Sequence, residues 1–143
     1  HDGALLANAQ KDSPVGKMFI QPQVKLESGE TVLLDEVIGN NFAIIAWGVD
    51  PKWGLSKESM QQWKKLGVKF IQVIPAVQLS NQQRKQYEDV ITIGDIGTDI
   101  RTWFGKTKDS IVILRPDRFV AALAIPQSME STSKALFNKL HVK

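Results

Sequence analysis

Two segments of this 143-residue chain gather side chains that could do chemistry. The first is Gly48-Val49-Asp50-Pro51-Lys52-Trp53-Gly54-Leu55-Ser56, between an apolar run and a helical pattern. A helix that starts here presents its positive end to the loop and would lower the pKa of a thiol seated on it. The chain has no cysteine to seat there. Asp50 and Ser56 suit capping, while Lys52 and Trp53 face solvent or a partner. The loop therefore reads first as a turn with a cap and second as a remnant ligand or contact site. The second segment is Arg115-Pro116-Asp117-Arg118, a corner between two apolar runs. Pro116 pre-sets the first central turn position and Asp117 suits the second. Arg115 and Asp117 can pair across the corner, and Arg118 can reach the surface. Two readings stay level there: an interdomain clamp, and a satisfied turn with a solvated arginine.

Other chemistries find little footing. Without cysteine there is no disulfide, no thiolate nucleophile and no thiolate metal ligand. His1 and His141 stand at the chain ends without spaced acidic or histidine partners, so neither a metal site nor a catalytic triad is indicated. Asp35-Glu36 and Glu88-Asp89 suit a helix start and a surface turn better than acid–base work. Gly94-Asp95-Ile96-Gly97 precedes a helix but lacks the longer glycine pattern and the lysine of a phosphate loop, so it reads as a turn. The net charge of +3 is small and evenly spread, which argues against nucleic acid. No apolar run reaches the ~18–20 residues that span a bilayer, and Ala4-Leu5-Leu6-Ala7 is too short for a signal peptide. Cysteine-free composition fits a reducing compartment, and the expectation is cytoplasmic. The first residue is His1 rather than Met, which leaves open a fragment or a processed product.

The elements that must hold these segments follow from pattern. Residues 1–23 have no clear period and read as a linker or extended lead-in, with a frayed helical turn over Ala4–Ala9. Residues 24–143 form one domain. Val24–Leu26 and Thr31–Leu34 make a hairpin about Gly29, and one helical turn then ends at Gly39. The apolar run Phe42–Trp47, a helix capped by Ser56 and stopped at Gly67, and the strand Lys69–Ile74 form a βαβ unit with a parallel pair. Ser80 and Gln83 predict a capped surface helix over 80–88. A strand at 90–93 precedes a helix from Thr98 or Asp99 to Phe104, ended by Gly105. The hairpin 111–125 is apolar on both sides, hence buried under helices. Ser128–Leu140 closes the chain, with Met129, Leu136 and Leu140 on one stripe. Trp47, Trp63 and Trp103 fall on apolar faces; Trp53 does not, and is the candidate interface anchor. A βαβ unit followed by ββα predicts an α/β fold of thioredoxin-like, three-layer type. It has a central mixed sheet, helices on both faces and an extra N-terminal hairpin. The hairpin and the insertion at 76–97 point to the longer, peroxiredoxin-like variant.

Three stretches also carry a family resemblance: residues 11–24, Leu33-Leu-Asp-Glu-Val-Ile-Gly-Asn-Asn-Phe-Ala-Ile-Ile-Ala-Trp-Gly48, and Leu114-Arg-Pro-Asp-Arg-Phe-Val-Ala121. They resemble the C-terminal, thioredoxin-like portion of the bacterial FAD-dependent aromatic hydroxylases that act on 3-(3-hydroxyphenyl)propionate. The resemblance implies a parent monooxygenase of aromatic catabolism that uses FAD and NADH. It implies that the catalytic domains of the same parent chain are this domain's partners. No catalytic, cofactor-binding or metal residue is carried over, because the family's FAD fingerprint and substrate pocket lie upstream. In this fold the reactive position is the joint at 48–56. Redox members also place a proline before the penultimate strand, where this chain has Lys108-Asp109-Ser110. The expectation is a non-redox domain, non-catalytic alone, with a structural or assembly role. A second copy of the chain, in a homo-oligomer, is a further expected partner, and Trp53, Arg115, Asp117 and Arg118 are the expected interface or turn residues. The alternative is a free-standing thioredoxin-like adaptor without thiol chemistry.

Overall fold

The computed structural model describes residues 13–81, 83–107 and 109–141. The helical turn expected over Ala4–Ala9 lies outside them. Seven strands form one mixed sheet: β1 (Gln23–Lys25), β2 (Thr31–Leu33), β3 (Ala43–Trp47), β4 (Lys69–Pro75), β5 (Val90–Asp95), β6 (Ile111–Leu114) and β7 (Val120–Ala124). Their order is β2-β1-β5-β4-β3-β6-β7. Among the described residues the α-helices are α1 (Leu34–Ile38), α2 (Lys57–Lys65), α3 (Asp99–Thr107) and α4 (Met129–His141).

The continuous apolar runs become the central strands, as runs buried on both faces must. β3, β4 and β5 are parallel neighbours, paired Ile45 to Ile71 and Ile71 to Ile91. β6 joins β3 antiparallel and is buried at every residue. The N-terminal hairpin extends the far side through antiparallel pairing of β1 with β5. Side chains alternate between two cores. One face packs Ile45, Ile71 and Ile93 with Leu34 and Ile38 of α1 and Ile100 and Phe104 of α3. The other packs Ile44, Phe70 and Ile113 with Trp63 of α2 and Met129, Leu136 and Phe137 of α4. Trp63 is fully buried and donates its indole N–H to Ser133 Oγ at 2.9 Å, so its one polar atom is satisfied.

Residues 13–22, expected as a lead-in, are fastened to the domain. The Gly16 amide donates to Val120 O at 2.9 Å and the Phe19 amide to Arg118 O at 2.8 Å. Phe19 is buried, with its ring centroid 4.7 Å from that of Trp103. Val15 and Ile20 pack against the same core, so burial of apolar side chains does this anchoring.

Two expectations fail locally. No helix forms over 80–88; a 3₁₀ turn at Ala76–Gln78 is followed by loop and turns. Asn81 Oδ1 accepts from the Gln83 amide at 3.0 Å, so an Asx turn takes the donor that Ser80 was expected to cap. The segment also lacks an apolar stripe to hold a helix on the core. Gly105 does not end α3, which continues to Thr107, where the Thr107 hydroxyl donates to Phe104 O at 3.1 Å. Burial of Ile100 and Phe104 outweighs the ~1 kcal/mol helix penalty of a glycine.

Candidate functional site

The joint between β3 and α2 is built as a turn and then filled from elsewhere in the chain. Gly48 turns the backbone at φ 76°. Asp50 Oδ1 accepts from the Lys52 amide at 2.9 Å, and Asp50 O accepts from the Trp53 amide at 3.0 Å. Ser56 caps α2 as expected, its hydroxyl oxygen accepting from the Ser59 amide at 3.1 Å. Glu130, from the first turn of α4, lies over this helix end. Its carboxylate accepts from the Ser56 amide at 2.7 Å, the Ser56 hydroxyl at 2.9 Å and the Ser59 hydroxyl at 2.9 Å. Lys134 Nζ stands 3.5 Å away. These contacts, the Ser56 amide first, hold the Glu130 carboxyl below the usual glutamate range, against an opposing push from burial. The end of α2 that could stabilise an external anion thus carries the chain's own carboxylate.

The start of α3 is treated alike. Gly94 and Asp95 complete β5 rather than forming the expected turn. The buried Asp95 carboxylate accepts from the Arg101 amide at 3.1 Å. A pyrophosphate docks where helix amides are open and no anion is resident. The starts of α2 and α3 both hold carboxylates of the chain itself, so neither fits the pyrophosphate of a dinucleotide. Among the described residues no group of three or more His, Cys, Asp and Glu is placed to hold a metal. No described helix is long and apolar enough to cross a membrane.

Open clefts remain, two of them flanking α3. One of about 300 Å³ lies between Pro22, Asp99, Trp103 and Lys106. The other, about 330 Å³, lies between Trp47, Arg101, Phe104, Asp109 and Ser110. Burial pushes the Asp109 carboxyl up from its ordinary value. Among the described residues neither cleft holds a nucleophile hydrogen-bonded to a base.

The arginine corner divides between two roles. Arg115 pairs with Asp117 as expected, and the guanidinium also lies 5.8 Å from the Phe119 ring centroid. The Arg118 amide donates to Arg115 O at 2.9 Å, closing the turn, and Arg118 itself sits at φ 73°. A register shift in β6–β7 follows, with Ile113 opposite Ala122 and Leu114 opposite Val120. Arg118 does not reach the surface. It is 8% exposed, and its guanidinium donates to Asp35 of α1, Gly39 O and Pro116 O. The left-handed backbone of a turn-plus-bulge directs the side chain inward, where carbonyls needed a donor. Trp53 is 59% exposed on the loop before α2, separate from the arginine corner. Sequence reasoning missed Glu130. Its partners lie 71 and 74 residues away, and no local spacing signals that pairing.

A family model described as "HcaD C-terminal domain" matches residues 16–139. A 3-(3-hydroxy-phenyl)propionate/3-hydroxycinnamic acid hydroxylase of Klebsiella pneumoniae (strain 342) is 54% identical over 140 residues, covering 97% of this chain and 25% of that protein. The hydroxylase of the same name in Escherichia coli (strain K12) is 50% identical over 137 residues, covering 95% of this chain and 24% of that one. The chain therefore spans about a quarter of the length of the curated relatives it matches. Among solved structures, a thioredoxin-like protein from Bacteroides caccae superposes with TM-score 0.59 at 13% identity, covering 89% of this chain and 50% of that one. The ternary complex of aklavinone-11 hydroxylase with FAD and aklavinone superposes with TM-score 0.59 at 14% identity, covering 96% of this chain and 26% of that one. The fold is thioredoxin-like, with a mixed central sheet and helices on both faces.

Proposed function

Because the chain belongs to the HcaD C-terminal domain family, we propose that it is the C-terminal, non-redox domain of a flavoprotein monooxygenase. The parent enzyme uses FAD and NADH to hydroxylate 3-(3-hydroxyphenyl)propionate in aromatic catabolism, in the cytoplasm. The observation that carries this reading is one of span. Nearly the whole chain aligns at 54% identity with only a quarter of a hydroxylase. In this reading the remaining three-quarters hold FAD and substrate.

The domain itself supports the reaction by packing and assembly rather than by chemistry. The helix end that serves thiol chemistry in this fold is closed by Glu130, and the chain has no thiol. Among the described residues neither of the two clefts flanking α3 pairs a nucleophile with a base, and the starts of α2 and α3 carry the chain's own carboxylates. What the domain offers its parent is a stable two-sided core and an outer surface.

The test is a paired assay. The full-length protein is expected to contain FAD and to consume NADH and O₂ when given 3-(3-hydroxyphenyl)propionate. The chain alone is expected to bind no flavin and reduce no disulfide. Flavin binding or disulfide reductase activity in the chain alone would overturn the non-catalytic assignment. A full-length protein without flavin would overturn the parent.

A further inference from the structure

Exposed apolar side chains are not scattered evenly over this molecule. Among the described residues seven large ones are exposed: Met18, Leu33, Trp53, Val77, Ile91, Ile96 and Ile125. Topology puts five of them at one end of the sheet. β3, β4 and β5 are parallel, so Trp53, Val77 and Ile96 all follow strands that end there. β7 finishes at the same end, since Ala124 pairs with Ile111 and Ile111 with Ala46; Ile125 comes next. β2 finishes there too, because Leu33 pairs with Gln23, one residue beyond the Val24–Asp95 pair. Only Met18 and Ile91 lie elsewhere.

Four of the five sit on braced backbone. A Cβ on Gly54 would lie 2.1 Å from Pro126 O, so the loop bearing Trp53 abuts the turn that follows Ile125. A Cβ on Gly94 would lie 2.7 Å from Ala76 Cα, so the turn bearing Val77 abuts the strand end that precedes Ile96. From β2 to β7 the row crosses six inter-strand spacings of about 4.8 Å, roughly 29 Å in all. The cleft of about 330 Å³ opens on this edge, between Trp47 at the end of β3 and Ser110 before β6. The edge therefore has both apolar projections and an apolar recess.

We infer that this edge is the docking surface for the upstream part of the same polypeptide, with Val77 and Ile96 at its centre and Trp53 and Ile125 toward one end. The inference rests on the chain being the C-terminal quarter of a longer protein, and it names the surface that joins the two parts. The curated relatives carry some three-quarters of their length outside the matched region, enough to cover an edge of this size. Polar Gln21, Gln78 and Thr98 flank the apolar residues. A mixed surface of this kind matches interfaces between domains of one chain, which are more polar than those of obligate dimers. A covalent tether also supplies the effective concentration that a modest surface needs.

The experiment is limited proteolysis of the full-length protein, reading release of the C-terminal fragment of about 16 kDa. Val77→Asp with Ile96→Asp is compared with Met18→Asp at the other end of the sheet, and Trp53→Asp serves as a second edge variant. All replaced side chains are exposed, and the melting curve of each released fragment checks that it stays folded. The edge variants are expected to release the fragment about tenfold faster, and Met18→Asp within about twofold of the parent. Equal release from edge and control variants would overturn the inference. So would edge variants that split a dimer while release is unchanged, because the occupant would then be a second copy. A gene that encodes no upstream region would instead defeat the reading of the chain as a C-terminal domain.

Discussion

Glu130 holds Ser56 by two hydrogen bonds, from the amide at 2.7 Å and the hydroxyl at 2.9 Å. The pair joins the start of α4 to the start of α2, 74 residues apart. A carboxylate stands where a helix dipole favours negative charge, so the contact serves electrostatics and capping at once. Glu130→Ala leaves the Ser56 amide and two hydroxyls without their acceptor. It is expected to lower unfolding free energy by about 1–2 kcal/mol, the side chain being part-exposed. Urea titration of the two proteins checks this.

The same residue sets a pH dependence. The folded pKa of Glu130 lies below its usual value. Its contribution is therefore full above the ordinary glutamate pKa and disappears as pH falls through the lowered folded value. The stability gap between the parent chain and Glu130→Gln should be widest near neutrality and close on acidification. Asp109 runs the opposite way, since burial raises its pKa. The folded state then favours the neutral acid, and a penalty appears as pH rises. Asp109→Asn is expected to raise the urea midpoint at pH 7 and to have little effect at pH 3.

Arg118 gives a sharper pair of variants. Its backbone is left-handed at φ 73°, which costs a non-glycine residue about 1–2 kcal/mol. Its guanidinium satisfies Gly39 O and Pro116 O and pairs with Asp35. Arg118→Ala should cost roughly 2–4 kcal/mol through the lost donors. Arg118→Gly loses the same donors and relieves the strain, so it should be more stable than Arg118→Ala by about 1 kcal/mol. Thermal unfolding of both variants separates the backbone effect from the side chain.

Gly54 has no room for a side chain. At φ 93° with Pro126 O 2.1 Å from a Cβ, Gly54→Ala must displace backbone. The expected loss exceeds about 2 kcal/mol, with the Trp53 loop shifted away from Pro126. Amide exchange at Leu55 and Ser56 reports the shift.

Most of the sheet was legible because its strands are runs such as Ala43–Trp47 and Ile111–Leu114, whose unbroken apolar character has one cheap solution. Ser56 was legible as a cap, and Gly39 and Gly67 as helix stops, because those rules are local. The helix expected over 80–88 failed because a polar capping pattern without an apolar stripe does not outweigh an Asx turn. Glu130 and Arg118 were hidden for a shared reason. Each has partners 71 to 83 residues away, and charged side chains give no hint of burial when read alone. Trp53 was recognised as the tryptophan off the apolar faces. The row it belongs to emerged only once strand order had aligned five segments.

The most direct measurement is the thermal unfolding of the full-length protein after deletion of residues 13–143. A domain that supports its parent by docking should leave the remainder flavin-bound but less stable, with its unfolding temperature lower by at least about 3 °C. A remainder that unfolds at the same temperature as in the intact protein would contradict a supporting role.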